Sequence, residues 1–527
     1  LSTIQARVTA AGKAFRKPQI IVDITDPNEF DEYDSRLNRQ QIEWAMYENT
    51  AYDSIHLWAT EYKKKFGLYK YIRNIFNPTT RIGNFYQAHI WPGALDRDAG
   101  DGTKIVSALP IITDNEVIRP AIANVWQWSN WSIKKNLVPL KGSTMGDGYI
   151  QVIDDPFHQK VYFKVIDPIL VRDIIKDPFG NIKAYILQGV RSDPHKPSLD
   201  VIYTETCHRG EAPDEVIFTT FKDGKEFAWN GIASQWSEFW GFCPLVQIQH
   251  NDVGMKFGWS EMHPFFSRIH TVDDTASMTI DQVRKMVQGS WLFSGTSKPL
   301  LVPTADAATP SRDRPAPGRE TSPAYYVGEK GDAKSLVADI DLSAIAELIA
   351  MLNSDLKKNL PELRIDEQEI QGVPSGKALH LLQEPARAKT KMRRVAYDRG
   401  AVAAMQMALT IGARNEYPGF ETLPKDGFAT GEFNHQIGES EVFAQSQIAK
   451  LEEADLFWDA VNKAILAGVS LESILSELGW SDEKIRTARQ QNARRLNIEQ
   501  RRAAAVARAA GEEEAAISIT EEVIINE

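Results

Sequence analysis

The chain has 527 residues, 43% of them hydrophobic and 25% charged, enough for several domains and at least one large core. Its formal charge of −11 lacks the basic footprint of a tight nucleic-acid binder, which argues against sequence-specific DNA recognition. It does not exclude a protein that nucleic acid slides past, because sliding requires weak contacts. No apolar run reaches about 18 residues, so no transmembrane helix is expected, and the polar stretch 1–14 has no secretory core. The chain begins at Leu1 without Met, which reads as processing, truncation or renumbering. Two cysteines, Cys207 and Cys243, are too few for a disulfide framework, and a reducing site of synthesis is the default.

Residues 1–34 read as extended and acidic. Helical pattern starts near Arg36, and apolar residues at helical spacing run from Ile42 to Phe66. Further helices are expected over Thr79–Ile90, ended by Trp91-Pro92-Gly93, and over about Asp114–Leu137. From Gly148 the period becomes that of strands: Tyr149–Ile153, Val161–Ile166, Ile182–Leu187, Leu199–Thr204 and Val216–Phe221. Turn clusters at Asp154-Asp155-Pro156, Asp177–Asn181 and Asp223-Gly224 separate them into an antiparallel meander. No GxGxxG or alternating βαβ pattern occurs, so no nucleotide-binding Rossmann domain is expected.

Helix returns over about 260–288. Trp291–Val302 reads as a strand, 303–323 as an exposed Pro-, Ala-, Arg- and Asp-rich loop, and Tyr325–Val327 as a returning strand. Leu342, Ile345, Leu348, Ile349, Leu352 and Leu356 then line one face of a helix ending near Leu360-Pro361. After a polar loop, 362–374, Ser375 is placed as an N-cap. The helix it opens runs to about Arg414, roughly 60 Å at 1.5 Å per residue, with a kink expected at Pro385. The C-terminal part reads as helices over 440–466, 470–478 and 481–510. The last of these holds eight basic residues against three acidic. It either faces DNA or pairs with acidic neighbours.

The residues offer little for catalysis. An ATPase of the P-loop kind needs GxxxxGK[ST]; Gly372–Ala378 has the wrong spacing, and Gly142–Gly146 lacks the lysine. Cys207-His208 reads as a strand-end Cys and a surface His, with no CxxC or HExxH to make a metal site. Asp154-Asp155 reads as a turn before Pro156 rather than an acid/base pair. Asp273-Asp274 reads as a solvated or channel-facing helix surface. Trp126, Trp128 and Trp131 read as packing rather than base stacking. No cofactor and no metal are expected, and the chain reads as a non-enzyme. The rival reading is a hydrolase using Asp/Glu on the β-rich segment.

Several pieces together resemble the portal (head-to-tail connector) proteins of tailed bacteriophages. Gly372-Val-Pro-Ser-Gly-Lys-Ala-Leu379 resembles the Ser-Gly-x-Ala-Leu element that opens the long wing helix after the tunnel loop. Asn77–Gly93 is similar to the N-terminal wing segment. Leu137–Ile153, with Lys141-Gly142 and Gly146-Asp147-Gly148, resembles the entry to the wing sheet. Ile166-Asp167-Pro168 fits the same sheet, and Phe242–Val246 resembles the strand before the first stem helix. The likeness covers roughly 40–440, mainly as element order.

The resemblance implies an α+β portal fold with long stem and wing helices, a small antiparallel β-rich wing sheet, a small α/β clip and a helical crown. By it, 1–260 and 375–440 form the wing, 261–288 and 338–361 the stem helices, 289–337 the clip, 362–374 the tunnel loop and 441–527 the crown. It implies a homo-oligomeric ring of twelve and double-stranded DNA passing through without being read. It also implies a terminase that supplies the hydrolysis, a major capsid or scaffolding protein, a head-completion adaptor, and no membrane. The place would be the portal vertex of a virion made in a bacterial cytoplasm. Lys357, Lys358, Arg364, Gln368, Gln371 and Lys377 are the expected DNA-facing residues. For Lys357, Lys358 and Arg364, a solvated helix end complementing the helix dipole is the competing reading. Arg312, Arg314 and Arg319 are the expected partner-binding residues of the clip.

Overall fold

The computed structural model describes residues 33–95, 108–287 apart from 213, 230 and 232, 291–294, 324–327, 332–335, 342–364 and 376–438, with 459, 461, 463 and 486. The chain divides into two compact units, 1–443 and 444–527. Apart from Asp459, Val461, Lys463 and Arg486, all helical, the second unit lies outside the described residues, and with it the expected crown helices and basic 481–510 segment. The expected extended start (apart from Tyr33 and Asp34) and the 303–323 loop also lie outside.

Helix and antiparallel sheet are mixed in the first unit, an α+β arrangement. Helix α1 (Tyr33–Tyr47) buries Ile42, Ala45 and Met46. The helical pattern expected from Ile42 through Phe66 is interrupted. The chain leaves α1 at Asn49, which adopts φ 63°, and resumes helix only in α2 (Ala59–Lys65). Asparagine tolerates this left-handed region and so ends helices. Between the two helices Ile55 and Leu57 face solvent, so apolar spacing there reflects no buried face.

Helix α3 (Thr79–His89) matches its expected span. The helix expected over 114–137 is two pieces, α4 (Ile118–Ser129) and α5 (Trp131–Lys134), and a further helix, α6 (Leu137–Met145), follows. Asn130, at φ 51°, makes the break between α4 and α5. Gly142 lies in the buried helix α6 and Gly146 caps it directly before β2 begins at Asp147, the helix-to-strand order expected over 137–153. A Cβ at Gly142 would lie 2.0 Å from the Tyr397 hydroxyl.

Strand β1 (Ile111–Ile112) pairs with Gln436–Ile437, and strands β2 (Asp147–Asp155), β3 (Lys160–Ile166) and β10 (Leu245–Gln249) form one antiparallel sheet with β2 central. A second sheet runs β4 (Val171–Lys176), β5 (Ile182–Asp193), β6 (Lys196–Arg209), β7 (Val216–Lys222) and β8 (Lys225–Glu226), with β9 (Gln235–Glu238) also pairing β7. Local chemistry makes its turns. Asp177 Oδ1 accepts the amides of Phe179 and Asn181, an Asx turn. Asp223 and Gly224 both take positive φ, as a two-residue hairpin requires. Asp154 and Asp155, expected in a turn, still pair with β3.

Helix α7 (Phe266–Val287) begins after a 3-10 turn at 263–265, later than its pattern indicates. A three-stranded sheet follows: β11 (Trp291–Ser294) lies between the parallel β12 (Ala324–Val327) and the antiparallel β13 (Asp332–Ser335). Helix α8 (Leu342–Asn359) packs against α7. Arg268 in the first turn of α7 pairs with Asp355 near the end of α8 at 2.6 Å, as in an up-and-down helix pair. The apolar face of α8 is fully covered only toward its end. Leu356 is buried, Leu342, Ile345, Ile349 and Leu352 are half-buried, and Leu348 is 43% exposed.

Helix α9 (Gly376–Arg414) is continuous over 39 residues with Pro385 inside it. It packs across the β10–β2–β3 sheet, burying Tyr397, Ala401, Ala404 and Leu409. At Gly400 the approach to β10 leaves no room for a Cβ, which would sit 2.3 Å from Ile248 Cγ1.

Candidate functional site

Lys357 and Lys358 occupy the last turn of α8, with Lys358 exposed and Lys357 half-buried. Arg364 sits in the 3-10 turn Pro361–Arg364 that follows, and its Nε donates to the Lys357 carbonyl at 2.9 Å. That carbonyl is one of the last four of α8, which have no intrahelical partner, so Arg364 caps the helix with a hydrogen bond and a charge suited to its dipole. Three of the expected DNA-facing cations are thus gathered at one helix end. Gln368 and Gln371 lie outside the described residues. Lys377 stands in the first turn of α9, its side chain outside them. Arg312, Arg314 and Arg319 of the expected clip also lie outside.

The turn carrying Arg364 is not the start of a solvated loop. Leu360 and Leu363 are buried, and so is Glu362. Glu362 Oε1 accepts from the Tyr86 hydroxyl of α3 and pairs with Lys389 Nζ of α9 at 2.8 Å. Lys389 also meets Glu261 Oε1 at 2.7 Å. The other Glu261 oxygen takes Arg393 Nε at 3.3 Å and His250 Nε2 at 3.0 Å. Arg393 continues to Asn251 Oδ1 at 2.8 Å, and His250 Nδ1 meets the Tyr397 hydroxyl at 2.9 Å.

Two carboxylates and two cations balance in this buried cluster. Burial by itself would raise the Glu261 carboxyl. The hydrogen bond from His250 and the charges of Lys389 and Arg393 outweigh it and hold the group well below the usual carboxylate range. Burial depresses His250, so the ring is neutral, donating from Nε2 to Glu261 and accepting at Nδ1 from Tyr397. Tyr86 is pushed up by burial first and then by Glu261 and Glu362, so it stays a donor. The chemistry of this arrangement is to hold: it ties α3, α9 and the 250–261 segment to the turn from which 365–375 departs.

Asp273 and Asp274 correct their expectation of a solvated or channel-facing surface. Asp273 is fully buried, and its Oδ1 accepts the amides of Ile75 and Phe76 at 2.9 and 2.8 Å. Burial raises its carboxyl to about 6, against the hydrogen bonds that lower it. Asp274 accepts the Tyr69 amide. Further along α7, Ser277 accepts the Arg73 amide at 2.9 Å, and Asp281 holds the Tyr69 hydroxyl and Arg73 at 2.7 and 3.3 Å. One face of α7 therefore binds the backbone of 69–76. Beside it, His270 lies between the hydroxyls of Tyr52 and Tyr62, and burial lowers it to about 4.

The residues weighed for catalysis have structural employment. Asp154 accepts from Tyr417 and Asn415 at 2.7 and 3.0 Å, and Asp155 from His158 at 2.7 Å. Trp126 and Trp131 are buried, and Trp128 packs against the core. Cys207 is fully buried within β6. Among the described residues no group of three His, Cys, Asp or Glu is placed to hold a metal ion, and no helix is long and apolar enough to cross a membrane. A scan against protein-family models finds no match for this chain, and no curated protein matches it.

Glu261, Glu362, Lys389, Arg393 and His250 were not singled out by sequence reasoning. Lys389 and Arg393, four apart on α9, were the one local signal, since that spacing puts both on one helix face.

Proposed function

We propose that this chain is the subunit of a tailed-bacteriophage portal. In this reading twelve copies form a ring at one capsid vertex. The ring passes double-stranded DNA during packaging by a terminase, retains it, releases it at ejection, and carries head-completion proteins. The single observation that supports it most is the run of elements from α7 to α9. Two packed helices of 22 and 18 residues are separated in sequence by a small three-stranded sheet and followed by a 39-residue helix lying on a β-sheet. At 1.5 Å per residue these helices span about 33, 27 and 58 Å.

In this reading α7 and α8 are the stem, β11–β13 belong to the clip, and the tunnel loop, 362–374, opens with the 3-10 turn Pro361–Arg364. The incompletely covered face of α8 suits a stem helix whose remaining neighbour is another subunit. Such a heterologous contact closes into a ring when its rotation closes. The cations at the end of α8 then touch phosphates without reading bases. The buried Glu362–Lys389–Glu261 cluster holds the loop base firm, while the walls stay weakly interacting.

The test is native mass with negative-stain imaging of the purified chain. Rings near 710 kDa, twelve chains of 59.2 kDa, with a central hole support the reading. A compact closed dimer without a channel overturns it.

A further inference from the structure

The sequence has only two cysteines, and the fold brings them together from different sheets. Cys207 stands in β6, opposite Tyr185 of β5 and Phe218 of β7. Cys243 immediately precedes Pro244 at the head of β10, in the other sheet. Its Sγ reaches back to the carbonyl of Lys183 at 3.2 Å, two residues along β5 from Tyr185. Both thiols are free and fully buried, and one stretch of β5 meets both: Cys243 at the Lys183 carbonyl, and Cys207 as the cross-strand partner of Tyr185.

We propose that Cys207 and Cys243 form a reversible internal disulfide that staples the six-stranded sheet to the three-stranded one when the protein meets an oxidising medium. Apolar filling alone explains a buried cysteine. It does not call for a second one beside it, when these are the only two of 527 residues and lie 36 positions apart. The oxidant is a small-molecule disulfide. One protein thiolate attacks it, releasing one small thiol and leaving a mixed disulfide. The other protein thiolate then displaces the second small thiol. In sum two protein S–H bonds are lost, one S–S bond forms, and the small disulfide is reduced to two thiols. Burial pushes the Cys207 thiol well up, so reaction waits on a local opening and the formed bond is shielded from reductants. The inference does not depend on the proposed function.

The full chain is incubated with oxidised glutathione or with dithiothreitol, in buffer and in sub-denaturing urea so that slow opening is not limiting. It is then unfolded with an alkylating reagent and weighed intact. The reduced chain takes two alkyl groups. The oxidised monomer takes none, is lighter by two hydrogen atoms, yields a Cys207–Cys243 linked peptide and unfolds at higher temperature, all reversed by dithiothreitol. The single variants C207A and C243A each keep one alkylatable thiol when reduced and cannot form the internal link. Two alkylatable thiols after oxidation, glutathione adducts without an internal link, or links only between chains would each overturn the proposal.

Discussion

Lys389 Nζ lies 2.8 Å from Glu362 Oε1, so the long helix α9 is tied to the turn that closes α8. The same ammonium holds Glu261. Removing one partner of a buried pair leaves the rest uncompensated, which costs about 3–5 kcal/mol. Lys389→Met is therefore expected to lose about 3 kcal/mol in urea unfolding. Glu362→Gln should lose less, because an amide oxygen still accepts from Tyr86. The double variant should be more stable than the two single losses added together, and simple additivity would refute the coupling.

A second consequence concerns pH. His270 falls from 6.5 to about 4 on folding, so below about 6.5 the unfolded chain binds the extra proton and stability is lost as pH drops toward 4. Asp273 rises to about 6, so its contribution has the opposite sign, present at low pH and lost as pH climbs through about 4 to 6. The two oppose each other across one helix. His270→Gln should remove its half. Between pH 7.5 and 5 the variant's stability should change about 2 kcal/mol more favourably than that of the unmodified chain. Urea midpoints at the two pH values check this, and parallel changes in both proteins would contradict it.

Gly142 offers a steric test. A Cβ there meets the Tyr397 hydroxyl, itself hydrogen-bonded to His250 within the buried cluster. Gly142→Ala is expected to destabilise by about 1–3 kcal/mol as overpacking. Pairing it with Tyr397→Phe, which removes the obstructing oxygen, should recover part of that loss. A neutral Gly142→Ala would show that the helices separate more readily than their packing indicates.

The turns and the longest helices were legible in the sequence because their causes are local. Asp177 and Asp223-Gly224 carry their turn chemistry with them, and α9 ends at Arg414 as its pattern indicates. Breaks set by a single residue's backbone were not legible: Asn49 and Asn130 look like ordinary polar positions in a helical pattern. The largest misreading was Asp273-Asp274. Adjacent carboxylates on an amphipathic helix resemble a wet face, yet their partners are backbone amides about 200 positions earlier in the chain. The Glu261–Lys389–Glu362 cluster was hidden for the same reason, as it joins distant segments. The cations at the end of α8 were found, because a helix end concentrates charge where a pattern shows it.

Those cations give a test of the DNA contact. Lys357→Gln with Lys358→Gln should lower the urea stability of the chain by about 0.5–2 kcal/mol, since both cations suit the dipole at the end of α8 and Lys357 is half-buried. Assembled rings carrying the changes should bind short double-stranded DNA more weakly and with a shallower dependence on salt, as each lost phosphate contact lowers the slope. Unaltered binding and slope would assign these lysines to the helix end alone.

A cryo-electron microscopy reconstruction of the purified assembly would decide whether the chain forms a portal ring. A closed ring of about twelve subunits is expected, with the α7–α8 pairs surrounding an axial channel and Lys358 at the level where the 362–374 loop enters it. A closed dimer, or a ring whose axis is lined by neither α7 nor α8, would contradict it.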